Sequence, residues 1–154
     1  MTNFEEKLIN YITDNCIEAQ HLTFQESCHS VEEAARAVKA SPEDLVKNIC
    51  FIDEQNNLIV AIVKGEDKVD TSKIRKLLNI KKVRPAKPDE ILQKTGYICG
   101  GVPSFGYEAI YLVDSKVMDK DIVYSGGGSQ NALVRISPQE LLKANDGQVV
   151  DINK

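Results

Sequence analysis

Three features of the sequence predict an α+β fold with a mixed, mainly antiparallel sheet, in one domain spanning residues 1–154. The chain has 154 residues, 42% of them hydrophobic and 27% charged, which suits one globular domain with a substantial core. The apolar runs 48–53 and 58–63 flank a short polar turn and predict an antiparallel hairpin. The other predicted strands are interspersed with capped helices, a mixture that favours α+β over a doubly wound parallel sheet.

Helix caps mark the first third of the chain. A capping box at Thr2 predicts a first helix that ends near Asn15, followed by a weaker strand over residues 17–24. A second capping box at Ser30 opens a helix whose alanines suit close packing, and Ser41 before a proline opens a third helical turn.

Two short helices and an edge strand are predicted after the hairpin. Asp70 caps the first of these helices, and Pro88 begins the second, which Gly96 ends. Between them, residues 82–84 predict an edge strand that Pro85 terminates. The residues predicted to face inward from the two helices are Ile74, Leu77, Leu78, Ile91 and Leu92.

The last third of the chain predicts four more strands and a final helix. Asp114 caps a single helical turn, and Ser137 before a proline opens the final helix. The strands are expected over residues 109–113, 122–124, 132–136 and 149–152.

The charge of the chain is unevenly distributed. A net charge of −4 argues against a general nucleic-acid binder. Residues 64–94, the basic segment, nevertheless carry ten Lys and Arg against five Asp and Glu. The basic segment either receives phosphates or forms solvated helix faces, and charge alone leaves both interpretations open.

Nothing in the sequence predicts a membrane, a leader or a metal. No apolar run approaches the roughly 20 residues that cross a bilayer, and the polar, acidic N-terminus is unlike a signal peptide, so we expect a cytoplasmic protein. Cys50 and Cys99 lie in apolar runs that predict burial. We expect no metal, because no usual zinc spacing is present among Cys16, His21, Cys28 and His29.

Two glycine-rich segments are candidate binding elements. Residues 97–106 hold three glycines, a proline and a serine between apolar runs, and such a loop can aim several backbone groups at one small ligand. A stiff turn between strands has the same composition. Residues 125–129 lack the ending of a P-loop, and a loose turn is the simpler interpretation. With no catalytic triad or H-E-x-x-H motif, an enzyme of this sequence would use backbone dipoles and few side chains.

Lys47 is a charged residue placed between a predicted helical turn and a buried strand. A solvated lysine that interacts with the end of the helix is the ordinary interpretation of this position. We expect it to be exposed.

Taken in order, these motifs resemble the YbaK and prolyl-tRNA-synthetase-associated editing-domain family. The motifs span residues 46–51, 63–70, 95–106 and 125–129, and the likeness covers roughly residues 20–145. The resemblance implies a barrel-like mixed sheet with flanking helices. It also implies hydrolysis of mischarged aminoacyl-tRNA, with no cofactor.

The resemblance also implies the site residues. Lys47 matches the functional lysine of the family, and Gly100 and Gly101 of the glycine loop (residues 100–104) complete the expected catalytic set. In the loop of the family a proline stands at the position of Ser104, whereas the proline of this loop is Pro103, one residue earlier. This difference leaves the choice of substrate open. The expected substrate-binding residues are Asn48, Val102, Pro103, Ser104, His29, Gly126, Gly127, Gly128 and Ser129.

Two functions fit the resemblance. The first is a trans-editing deacylase for tRNA-Pro, or another tRNA, that carries a small wrong amino acid at its acceptor end, acting alone or with a synthetase. The second is a non-catalytic protein of the same fold that binds tRNA or a synthetase. The presence of both Lys47 and the glycine loop favours the first.

Overall fold

The computed structural model describes residues 3–154, which form five α-helices, eight strands and two 3₁₀ turns. The helices are α1 Asn3–Asp14, α2 Val31–Val38, α3 Thr71–Leu78, α4 Pro88–Thr95 and α5 Pro138–Asn145, with 3₁₀ turns at Pro42–Asp44 and Ser115–Asp119. The strands are β1 Ala19–Thr23, β2 Val46–Asp53, β3 Leu58–Lys64, β4 Val83–Pro85, β5 Ile110–Asp114, β6 Val123–Gly126, β7 Ala132–Ile136 and β8 Gln148–Val150.

The strands form two sheets. One has the order β1-β7-β6 and is antiparallel throughout. The other has the order β4-β2-β3-β5-β8, in which the β2–β3 hairpin and the β2–β4 pair are antiparallel and the pairs made by β5 are parallel. The predicted α+β fold with a mixed sheet is confirmed. The two sheets meet at a bridge between Leu45 and Tyr124, and within residues 3–154 they do not close into a barrel.

Strand β3 separates two parts of the core. Val60 and Ile62 face the main core, which lies between the two sheets and is also filled by α1. Ile59, Ala61 and Val63 face a second cluster on the opposite side, under α3. Both faces of β3 are therefore buried, which explains why its sequence is a continuous apolar run rather than an alternating one.

Some predicted details are wrong. Leu77 and Leu92 are each 44% exposed, because the eight-residue helices α3 and α4 bury only an i, i+4 stripe through Ile74 and Ile91 and leave these neighbours at its edge. Cys99 is exposed, because it lies in a turn rather than a strand. Thr2, the cap predicted for α1, lies outside the described residues.

The caps at Ser30, Asp70 and Ser137 are confirmed: each side chain accepts a backbone N–H from the first turn of its helix. None of the helices in the described part of the chain is long and apolar enough to span a bilayer.

Candidate functional site

A pocket of about 200 Å³ lies where the two sheets meet. Its walls come from the start of β2, the segment that leads into α2 with the first turn of that helix, the glycine loop (residues 100–104), and the glycine run (residues 125–129) at the end of β6. Ile91 of α4 and Leu133 of β7 complete the lining. The sheet junction therefore brings together motifs that stand about 80 residues apart in the sequence.

Strand alternation places Lys47 and Asn48 on different sides of β2. Asn48 has the same parity as Val46 and Cys50, which face the main core, so its side chain lies on the inner side of the pocket. Lys47 has the parity of Phe51, which belongs to the second cluster. Both residues are part of the pocket lining, but their side chains leave β2 on opposite faces.

Lys47 is half-buried rather than exposed, which corrects the expectation from the sequence. Its Nζ donates a hydrogen bond of 2.5 Å to the carbonyl oxygen of Asp67. Burial lowers the pKa of Lys47 from its ordinary 10.5; the negative charge of Asp67 opposes this shift, and the positive charge of Lys68 adds to it. Lys47 is thus a partly desolvated lysine whose ammonium group is held against the backbone of Asp67.

Asn48 takes part in a ring of hydrogen bonds with two serines. Its Nδ2 donates to Ser125 Oγ at 3.2 Å, and Ser104 Oγ donates to Asn48 Oδ1 at 2.6 Å. The two serine hydroxyls lie 2.6 Å apart and complete the ring. The ring joins β2 to both glycine-rich segments and fixes one wall of the pocket.

Gly100 and Gly101 have different environments. Gly100 is exposed on the pocket wall with φ of +90°, and a Cβ there would meet the imidazole ring of His29. Gly101 is buried, and a Cβ on it would lie 2.8 Å from the backbone of Gly128 and of Ser129. The N–H of Gly128 donates to the carbonyl of Gly101 at 2.8 Å, so the two glycine-rich segments support each other directly.

The glycine run is packed as tightly as the loop. A Cβ on Gly126 would strike the carbonyl group of Val102, and one on Gly127 would strike the backbone between Ala132 and Leu133. These glycines therefore allow close backbone approach within the protein, which is a requirement of packing as well as of any ligand site.

Half of the twelve site residues predicted from the sequence line the pocket, and the other half support its walls. The lining residues are His29, Lys47, Asn48, Gly100, Val102 and Gly126. The supporting residues are Gly101, Pro103, Ser104, Gly127, Gly128 and Ser129.

The twelve predicted site residues leave out two parts of the pocket lining. One is Ser125, which belongs to the candidate segment 125–129 but was not among the expected substrate-binding residues. The other is the apolar wall, to which Val31, Ala34 and Leu133 contribute. No local signal distinguishes these from other core residues, because only the tertiary structure brings them to the pocket.

The basic segment divides between the two ends of β2. Lys64 is paired with Val46 at the pocket end of the strand. At the far end, Asp53 is paired with Val83, and a second, open groove lies there. Its charged lining residues are Arg75, Lys81, Lys82 and Arg84, together with Asp53 and Glu54. At about 3.3 Å per residue, this basic groove lies roughly 20 Å from Lys47 along β2.

The cysteine and histidine side chains of the described residues do not gather into a metal-binding cluster. Burial raises the pKa of Cys50 to about 12, so its thiol is an inert part of the core. His21 Nε2 is within 2.8 Å of the Gly127 carbonyl and is engaged there. Within residues 3–154, no group of three or more His, Cys, Asp and Glu side chains is placed to hold a metal ion.

Comparison with known proteins identifies the family. A family model described as the aminoacyl-tRNA editing domain matches residues 25–144. The uncharacterised protein YwhH of Bacillus subtilis is 29% identical over 134 residues, which cover 85% of each chain. EbsC of Enterococcus faecalis, a candidate Cys-tRNA(Pro)/Cys-tRNA(Cys) deacylase, is 24% identical and aligns with 80% of this chain and 76% of its own. The crystal structure of a candidate trans-editing enzyme for prolyl-tRNA synthetase superposes with a TM-score of 0.93 at 26% identity, covering 100% of this chain and 99% of that one.

Proposed function

Because the chain belongs to the aminoacyl-tRNA editing domain family, we propose that it is a trans-editing hydrolase that removes a small wrong amino acid from tRNA. The observation that carries the proposal is the convergence of Lys47, Gly100 and Gly126 on one pocket of about 200 Å³. The names of its relatives point to tRNA-Pro as the first candidate.

The chemistry needs few side chains. An aminoacyl ester is already activated, so holding it beside a water molecule and stabilising the developing oxyanion can supply most of the acceleration. The backbone around Gly100 and Gly126 forms the wall against which the ester lies. The ammonium group of Lys47 binds the terminal sugar-phosphate as a point charge.

A panel of mischarged tRNAs tests the proposal. Alanyl-, seryl- and cysteinyl-tRNA-Pro, with correctly charged prolyl-tRNA-Pro as the control, are incubated with the protein, and the release of amino acid is measured. We expect at least one mischarged tRNA to be deacylated and prolyl-tRNA-Pro to be spared. Binding of these tRNAs without any deacylation would favour the non-catalytic alternative. Repeating the panel with added prolyl-tRNA synthetase tests whether a synthetase is a partner.

The titration of Lys47 predicts an alkaline limit to activity. Because burial lowers the pKa of Lys47, its charge is lost at a lower pH than that of an ordinary lysine. As the pH rises, kcat/KM is therefore expected to decline before pH 10.5 is reached. Between the lowered pKa of Lys47 in the folded protein and its ordinary value of 10.5, the unfolded chain binds more protons than the folded one. The Lys47 contribution to folding stability therefore rises with pH over this range. With rising pH, kcat/KM thus falls while the Lys47 contribution to folding stability increases.

The measurement is kcat/KM against pH with spontaneous ester hydrolysis subtracted, together with the stability difference between the wild-type protein and Lys47→Met. A loss of activity that follows a loss of stability would show unfolding rather than lysine titration.

The position of the basic groove predicts that it contacts tRNA beyond the acceptor end. Lys81→Glu with Lys82→Glu is the appropriate variant, because Arg84 is already paired with Glu90 through two hydrogen bonds of 2.8 Å. We expect weaker binding of full-length tRNA and a shallower salt dependence, with the slope reduced by about one to two. Deacylation of a short aminoacylated CCA fragment should be unchanged, since the groove is roughly 20 Å from the pocket.

The control is Lys116→Glu with Lys143→Glu, which changes the net charge equally at exposed positions on other elements. Equal weakening by both double variants would indicate a general charge effect and no specific contact at the basic groove.

A further inference from the structure

Asp67 holds the ammonium group of Lys47 from the turn that follows β3. Lys47 Nζ donates to the main-chain carbonyl of Asp67, and the negative charge of the Asp67 carboxylate opposes the effect of burial on the pKa of Lys47. An ammonium group has three hydrogens, so this bond leaves donors for a ligand. Asp67 itself is not among the residues that line the pocket, so it acts on a ligand there through Lys47.

The carboxylate of Asp67 is placed where a purely structural residue gains little. Its Oδ2 is shielded from solvent, and no group among residues 3–154 donates a hydrogen bond to it. A buried carboxylate oxygen without a donor costs folding free energy, so its presence calls for an explanation other than stability. The positive charge of the Lys47 ammonium, which is bonded to the carbonyl of the same residue, supplies that explanation.

The turn that carries Asp67 is anchored on both sides. Before Asp67, the N–H of Gly65 donates to the carbonyl of Leu45, directly ahead of β2, at 2.7 Å. After it, the N–H of Asp70 donates to the carbonyl of Ile152, also at 2.7 Å. Asp67 is therefore a fixed partner for the lysine and not a residue of a free loop.

We propose that Asp67 is a positioning residue of the candidate site, which keeps the Lys47 ammonium charged and in place to bind the phosphate of the tRNA acceptor end. The proposal rests on the deacylase function proposed above. Without the Asp67 carboxylate, burial and the positive charge of Lys68 act on Lys47 unopposed. Lys47 then loses its proton, and with it the attraction for a phosphate, at a lower pH.

Other ionisable groups at this end of β2 do not replace Asp67. The charged side chains of the neighbouring elements are engaged with other partners: Lys64 with Glu66, Lys120 with Glu43 and Asp44, and Glu33 with the N–H of Ser30. The titratable side chains that share the pocket lining with Lys47 are Cys28, His29 and Cys99. These groups are the same in the wild-type protein and in Asp67 variants, so their titration cancels when activities are compared at each pH.

Asp67→Asn tests the proposal, because it removes the charge but keeps the main-chain carbonyl and the size of the side chain. On a mischarged tRNA, kcat/KM is expected to stay within about twofold of the wild-type value near pH 7 and to be lower by about threefold or more on the alkaline limb. The Lys47 amine is also followed without any substrate, through the NMR chemical shift of its ε-carbon, assigned with Lys47→Met. It should titrate at a lower pH in Asp67→Asn than in the wild-type protein.

Two further variants separate charge from shape. Asp67→Glu keeps a carboxylate beside Lys47 and should hold the alkaline limb within about twofold of the wild-type protein, even if its stability is lower. Glu66→Gln is the matched control, because it removes one negative charge from the adjacent, exposed residue. It should leave both the alkaline limb and the ε-carbon titration unchanged.

The outcomes distinguish this proposal from the deacylase function. If the wild-type protein cleaves no mischarged tRNA, the deacylase function fails, while the ε-carbon titration still reports whether Asp67 keeps Lys47 charged. If Asp67→Asn leaves the ε-carbon titration or the alkaline limb of an active enzyme unchanged, the positioning role of Asp67 is overturned. An equal shift in Glu66→Gln overturns it as well, because the effect is then one of general charge.

Discussion

Lys47→Ala is expected to lower kcat/KM for the edited aminoacyl-tRNA by at least about 100-fold. The substitution removes the charge of this lining residue and thereby the contact proposed to hold the terminal sugar-phosphate against the pocket wall. The fold should survive. Losing the hydrogen bond from Nζ to the Asp67 carbonyl costs about 1 kcal/mol of unfolding free energy, which leaves the protein folded at room temperature.

Two other variants make this result specific. Lys47→Arg keeps the charge but replaces a point donor by a planar fork, so partial activity is expected. Lys64→Ala is the matched control, because this lysine is also largely covered, lies at the pocket end of the hairpin and does not line the pocket. If Lys47→Ala retains the kcat/KM of the wild-type protein, Lys47 has no role in activity and is only a structural lysine.

Gly126→Ala is expected to destabilise the protein by about 3 kcal/mol or more, whereas Gly100→Ala is expected to damage activity more than stability. The added methyl of Gly126→Ala meets the Val102 backbone, whose carbonyl carbon would be 2.7 Å away and cannot rotate aside. The methyl of Gly100→Ala meets the exposed side chain of His29, which can move. The conformational cost of Gly100→Ala at φ of +90° is about 1–2 kcal/mol. The added methyl occupies the pocket and is expected to lower kcat/KM by roughly 10- to 100-fold.

The measurement is the midpoint of denaturant unfolding and kcat/KM on the same preparations. Gly106→Ala is the control for strain alone: its φ is +98°, and the added methyl makes only ordinary contact with Tyr11 at 3.7 Å. Gly106→Ala should therefore match Gly100→Ala in stability while keeping activity. If Gly100→Ala loses stability but deacylates normally, the glycine loop is only a structural turn.

The local structure of this chain was largely predictable. Caps such as Ser30 and Asp70, the hairpin 48–63 and the stop at Gly96 were identified from sequence and occur in the structure. Each depends on interactions within a few residues, namely a side chain that accepts a backbone N–H, a run of apolar residues, or a glycine that takes positive φ. Such interactions involve residues that are close together in the sequence, so the sequence alone predicts them.

The roles of the glycines and of Ser104 were not predictable in the same way. From sequence, Gly100 and Gly101 were equivalent parts of one loop, and Ser104 was a departure from a proline in the family. The structure separates them, because the glycine run passes directly beneath Gly101 and not beneath Gly100. It also shows that Ser104 closes a ring with residues 56 and 21 positions away.

The sequence by itself determined the elements, the family resemblance and the candidate lysine and glycines. The tertiary structure decided which of them face a common pocket, that Lys47 is half-buried, and that the basic segment is divided between two ends of β2. The physical reason is that helix and strand formation depend on neighbours along the chain. Burial, pKa shifts and hydrogen-bond rings depend instead on which distant segments the junction of the two sheets brings within a few ångströms of each other.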